Sequence, residues 1–185
     1  MVKNYIKETI SLLTLLAATL PGFIVSFILL DEKDLQLFPV IRITPVSISG
    51  FLVTRLAFMV ILGFFSSLLI LQFKGLYTIS FIESCQLALL SSLNTPILIL
   101  IISGKVNNKV EGLTLLKLVT ITLMIPIIIF FLNNNWEYAF AFLPASWVYL
   151  FFDSPQNQTL IFIIGTLYLV GMIYLSFKYM IKIKA

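Results

Sequence analysis

The chain has 185 residues, a net charge of +4, 60% apolar and only 11% charged residues, and a mean hydropathy of +1.08. So little polar material cannot cover a water-soluble domain of this size, so most of the length serves one domain, residues 1–185, that crosses a lipid bilayer. Histidine is absent and the one cysteine, Cys85, lies in an apolar run, which excludes a disulfide framework or a Cys/His metal cluster within the chain; the lysines cap apolar runs instead of forming a basic face with interleaved aromatics, which argues for lipid headgroups and against nucleic acid.

Only helices and closed barrels cross lipid, and the period-two alternation of a barrel wall is missing, so the expected fold is an all-α polytopic helix bundle of about five spans. The first, residues 9–30, forms about 33 Å of helix. Lys3, Lys7, Ala17 and Ala18 give it a superficial likeness to a signal peptide, but its length predicts an uncleaved span. Residues 31–49 form the longest charged connection. Their acidic start and apolar middle suit a short amphipathic helix lying on the membrane surface, one face open to a soluble partner; the plainer alternative is an ordinary interfacial loop.

Spans over 51–73 and 78–104 come next. Glu83 is the acidic residue placed to reach membrane depth, either as a proton or cation site or as an outer-interface carboxylate turned toward water. It has no second carboxylate, histidine or buried basic partner in sequence, which favours the second role. Asn94-Thr95-Pro96 predicts a kinked packing helix, as does Pro126 in the following span, 113–132. Between these spans, Asn108 and Glu111 have the spacing of a capping box. Gly112 permits close backbone approach, and Lys105, Lys109 and Lys117 hold this corner at an anionic leaflet.

After the polar turn Asn133-Asn134-Asn135, residues 136–152 are too short and too interrupted by Pro144 for a comfortable span. They are assigned as a re-entrant or interfacial element whose Trp136, Tyr138, Trp147 and Tyr149 suit headgroup depth. The last span covers 156–178.

Placing the 31–50 loop in the cytoplasm puts Lys33, Arg42, Arg55, Lys105, Lys109, Lys117, Lys178, Lys182 and Lys184 inside, and only Lys3, Lys7 and Lys74 outside. Lys3 and Lys7 are the misfit. No Gly-rich phosphate loop, H-E-x-x-H, G-x-S-x-G or serine with a histidine base is present, so no catalytic residue, bound cofactor or metal is expected.

Three stretches carry a family resemblance. Asn108-Lys-Val-Glu-Gly-Leu-Thr-Leu-Leu-Lys-Leu118 resembles the Asn-Lys-Val-Glu-Gly-Leu-x-x-x-Lys-Leu stretch of type-2 ATP-binding-cassette (ABC) exporter permeases, in particular the fluoroquinolone-export group. Asp31 to Ser47, with Arg42-Ile-Thr-Pro-Val-Ser, is similar to that group's coupling-helix connection, and Leu143-Pro-Ala-Ser-Trp147 to its outward re-entrant Leu-Pro-x-x-Trp pattern.

The resemblance implies a permease subunit in the bacterial plasma membrane that exports a hydrophobic or amphiphilic compound. It would pair as a homodimer or with another permease, and a separate ABC subunit would bind and hydrolyse ATP. It also implies coupling to that subunit through Leu35, Leu37, Phe38, Val40, Arg42 and Thr44, a second cytoplasmic corner at Lys109, Glu111, Gly112 and Lys117, and a re-entrant segment marked by Trp136, Pro144 and Trp147. Family members carry six spans, whereas this chain begins later, in line with the misfit of Lys3 and Lys7; a shortened permease is the corresponding expectation. The rival readings are a secondary transporter or channel using Glu83, and a non-transporting membrane protein such as an immunity factor or truncated permease.

Overall fold

The computed structural model describes residues 2–43, 47–72, 79–106, 108–131, 136–154 and 156–184. Among them there is no strand, and the α-helices are α1 (Val2–Asp34), α2 (Leu37–Arg42), α3 (Ile48–Leu71), α4 (Phe81–Lys105), α5 (Lys109–Met124), α6 (Ser146–Asp153) and α7 (Gln158–Lys184). Two 3₁₀ segments, Ile125–Phe131 and Trp136–Phe140, lie between α5 and α6. Five of the described helical stretches are long and apolar enough to cross a membrane: Ile6–Asp34, Ile48–Leu71, Phe81–Lys105, Lys109–Phe131 and Gln158–Ile181.

Helix starts follow side-chain chemistry. Ser47 accepts from Gly50 N at 3.1 Å, Asn108 from Glu111 N at 2.9 Å, and Ser80 and Glu83 close a full capping box at the head of α4. Each satisfies a backbone donor that the helix itself leaves unpaired. Glu83 is therefore the N3 residue of α4, accepting from Ser80 N, and stands at the helix entrance instead of well inside the span.

α4 is the axis of the bundle. In its most apolar window 72% of the residues are buried, against 50% for α1 and 22, 22 and 17% for α3, α5 and α7, so the others wrap it. Close wrapping needs small residues where helix backbones meet. α1 supplies them at four-residue spacing, one per turn on one face: Thr14, Ala18, Gly22 and Ser26.

At the centre of this seam Thr95 of α4 donates to the Ala18 carbonyl at 2.8 Å, and Ser67 of α3 donates to the Thr14 carbonyl at 3.1 Å. A Cβ on Gly63 of α3 would stand 2.7 Å from the Ala18 carbonyl oxygen, and one on Gly22 would stand 2.5 Å from the Thr95 methyl. The hydroxyls of Thr14, Thr19 and Ser26 donate to carbonyls one turn back in their own helix, so the polar stripe leaves none of these three groups bare.

α6 lies inside the bundle, every residue from Ser146 to Phe152 buried. It packs against α1, α4, α7 and the Ile125–Phe131 segment. Two aromatics assigned from sequence to headgroup depth are thus core residues. Tyr149 is fully buried, donates its hydroxyl to Leu123 O at 3.1 Å and meets Phe130 edge-on, while Trp147 packs on Tyr168 and against the position of Gly165. A hydrogen-bond partner deep in the protein makes burial of a phenol tolerable, and this partner lies 26 residues away, where no local pattern announces it.

Candidate functional site

At the charged end of the bundle Lys109, one of the residues named from sequence, meets the last turn of α1. Sequence composition places Asp31-Glu32-Lys33-Asp34 at the start of the connection, but the structure keeps them helical as the last turn of α1. Successive helical residues point about 100° apart, and here each of the first three finds a different neighbour. Asp31 pairs with Lys109 of α5 at 2.5 Å. Glu32 takes both guanidinium nitrogens of Arg55 of α3, at 2.7 and 2.5 Å. Lys33 donates to the carbonyl of Val106, the C-cap of α4, at 2.9 Å.

One helical turn thereby ties α1 to α3, α4 and α5. A bidentate guanidinium–carboxylate pair is directional, and Arg55 is further fixed by its position 4.2 Å over the Phe51 ring. Lys33 supplies positive charge where the C-terminal ends of both α1 and α4 leave carbonyls unpaired. Sequence pattern singles out Lys109 but not its partner Asp31, nor Glu32, Lys33 and Arg55 as site residues, because the bonded residues are 23, 73 and 78 positions apart, beyond any local motif.

Beyond this turn the chain reverses at Gln36, which has φ 54°, the one left-handed non-glycine residue among those described. That bend swings α2 off the end of α1. Leu35, Val40 and Ile43 are exposed, at 71, 53 and 86%, and Leu37 at 37%, a run of uncovered apolar side chains on the six-residue α2 and just beyond its two ends. Ile43 belongs with the residues named from sequence. The backbones of Phe38 and Arg42 lie in α2, while their side chains, and Thr44 altogether, fall outside the described residues. Because a left-handed backbone strains a residue with a Cβ by about 1 kcal/mol, Gln36→Gly should leave the thermal midpoint unchanged or slightly raised, whereas Gln36→Val should lower it.

Of the second corner, Gly112 is buried and packs on α1, where an added Cβ would come within 2.8 Å of the Leu30 side chain and 3.3 Å of Phe27. Glu111 lines a shallow groove with Lys105, Val106 and Val110. Lys117 is exposed two turns further along α5, about 12 Å from Lys109, and does not join the tied turn. Of the residues expected in a re-entrant segment, Pro144 lies in the turn before α6 and Trp147 in α6 itself; the side chain of Trp136 is outside the described residues.

Among the described residues no three His, Cys, Asp or Glu side chains gather to hold a metal ion. What the site offers is a set of exposed apolar side chains just beyond a helical turn that is bonded to α3, α4 and α5.

Comparison with known proteins gives a consistent picture. The family model described as "Fluoroquinolones export permease protein Rv2686c-like" matches residues 2–177. Two curated relatives from Mycobacterium tuberculosis, the fluoroquinolones export permease proteins Rv2686c (strain ATCC 25618 / H37Rv) and MT2760 (strain CDC 1551 / Oshkosh), are each 26% identical over 137 residues, 73% of this chain and 54% of theirs. The chain thus spans about half the length of the curated relatives it matches. No solved structure matches it. With a match over nearly its whole length and five membrane-crossing helices, the chain belongs to the Rv2686c-like family of fluoroquinolone export permease proteins.

Proposed function

We propose that this chain is the membrane-spanning permease subunit of an ATP-driven exporter, with no catalysis of its own and with ATP bound and hydrolysed by a separate ABC subunit. The observation that carries this reading is the exposed apolar strip Leu35, Leu37, Val40 and Ile43, on a short helix and just beyond its two ends, next to a helix end that is bonded to three others. An unpaired apolar strip of this kind fits a groove on a soluble partner. Closure of that partner around ATP pushes α2, and the Asp31–Glu32–Lys33 turn passes the displacement to α3, α4 and α5, so helices shift as units and access alternates.

The relatives' names point to a drug-like cargo, and a hydrophobic or amphiphilic compound suits a lipid-facing bundle. The thinly covered faces of α3, α5 and α7 suit a second permease, identical or different, in a bacterial plasma membrane. Glu83 has no part in this mechanism, because its carboxylate is engaged at the head of α4.

The test is a pair of substitutions on the strip, Leu37→Asp with Val40→Asp. Buried apolar anchors contribute about 2 kcal/mol each at protein interfaces. Recovery of the ATP-binding subunit with affinity-tagged permease should therefore fall at least about tenfold, and export of a fluorescent amphiphile with it. The thermal midpoint should hold, since both side chains are exposed. Unchanged export in the double variant, or export abolished by Glu83→Gln, would overturn the proposal.

A further inference from the structure

Between α4, α5 and the turn preceding α6 lies a cavity of about 160 Å³, separate from the charged end of the bundle. Its walls are apolar, with Leu98 and Ile101 on one side, Val119 and Leu123 on another, and Pro144 and Ala145 closing a third. The polar exceptions are Thr122, whose hydroxyl donates to the Leu118 carbonyl at 2.9 Å, and Asn94, which is 1% exposed. The Asn94 amide nitrogen donates to the Leu90 carbonyl at 2.9 Å. A carbonyl can only accept, so this bond fixes which end of the amide is the oxygen. That oxygen, Oδ1, has no hydrogen-bond partner among the described residues.

A buried acceptor without a donor is costly in any fold and more so in mid-membrane, and Asn94 lies about 16 Å along α4 from the charged Lys105. We propose that this cavity is a binding site for a neutral, ring-sized apolar molecule carrying one hydrogen-bond donor, which it delivers to Asn94 Oδ1. The volume matches the engineered apolar cavities of about 150 Å³ that take up benzene. No charged residue lines it, which rules out an ionic ligand. The Thr122 hydroxyl already gives its hydrogen to the Leu118 carbonyl, so the lining acceptor that lacks a donor is the Asn94 amide oxygen. The site lies within one chain and stands independently of the transport reading, since it calls for no ATP-binding subunit.

The experiment uses the full chain in lipid nanodiscs and ¹⁹F NMR of two probes of nearly equal size, 4-fluorophenol, which has a donor, and 4-fluoroanisole, which has none. Lipid partitioning is common to all samples and cancels against two variants: Asn94→Leu, which keeps the volume and removes the acceptor, and Ala145→Leu, which fills the cavity from a position 2% exposed. Wild type should bind 4-fluorophenol at least about tenfold more tightly than 4-fluoroanisole. Asn94→Leu should erase that preference, and Ala145→Leu should abolish saturable binding. Phenol should also raise the thermal midpoint of wild type and not that of Asn94→Leu, a readout that holds if Ala145→Leu fails to fold. Equal affinity for the two probes, a preference that survives Asn94→Leu, or uptake by lipid alone would overturn the proposal.

Discussion

Gly63→Val should destabilise the bundle by about 3 kcal/mol or more, enough to leave little folded protein after detergent extraction. The added Cβ alone would stand 2.7 Å from the carbonyl oxygen of Ala18, and a main-chain atom in the middle of a helix cannot swing aside as a side chain can. The same displacement would break the bond from Thr95 to that carbonyl. Gly22 provides the internal control, because its added Cβ would crowd the methyl of Thr95 at 2.5 Å while the nearest main-chain atom stays at an ordinary 3.5 Å. Gly22→Ala should therefore be rescued in large part by Thr95→Ser, which removes the methyl and keeps the hydroxyl, while Thr95→Ser should do nothing for Gly63→Val. Unfolding of purified variants by titrated denaturing detergent, read by tryptophan fluorescence, measures all four. Equal stability of Gly63→Val and wild type would mean that α1 and α3 do not meet at Ala18.

The second large effect belongs to Glu32 and Arg55. Their side chains are 14 and 28% exposed, so solvent screens the pair only in part, and removing one member leaves the other half-buried with its charge. Arg55→Gln should cost about 2 kcal/mol. The double variant Glu32→Gln with Arg55→Gln should cost less than the sum of the single changes by about 1 kcal/mol. A charge-reversed pair, Glu32→Arg with Arg55→Glu, should recover part of the loss. Asp31 and Lys109 form the contrasting pair: both are about half exposed, and Lys109→Ala should leave the melting curve close to wild type. Additive single and double variants at Glu32 and Arg55 would show that the two groups do not interact.

What the sequence made legible was whatever depends on local chemistry. Long uncharged runs marked the five spans, and Asn108 revealed the start of α5 three residues ahead of the amide it caps. The ends of α1 were harder to read, because a turn of four charged residues resembles a loop by composition and is held helical by partners that fold in from other parts of the chain. The same reason hid Glu32, Lys33 and Arg55. The seam at Thr14, Ala18, Gly22 and Ser26 was different in kind: its four-residue spacing is visible in the chain and was there to be found, yet small residues carry no chemistry to attract notice. Trp147 and Tyr149 show the limit of reading polar aromatics by type, since the same ring serves a headgroup layer or a protein interior depending on whether a carbonyl such as that of Leu123 comes within reach.

The helix most enclosed by its neighbours is also the least apolar of the five, with a hydropathy of 1.9 against 2.1 to 2.4 for the others. Serine, threonine and asparagine at Ser91, Ser92, Asn94, Thr95 and Ser103 make α4 a poor guest for bare hydrocarbon and a good one for a protein lining. During synthesis its two principal neighbours, α1 and α3, leave the ribosome first. The two helices that cover α4 in the finished bundle are therefore already made when it is synthesised, so a protein lining is within reach before bare lipid has to hold it.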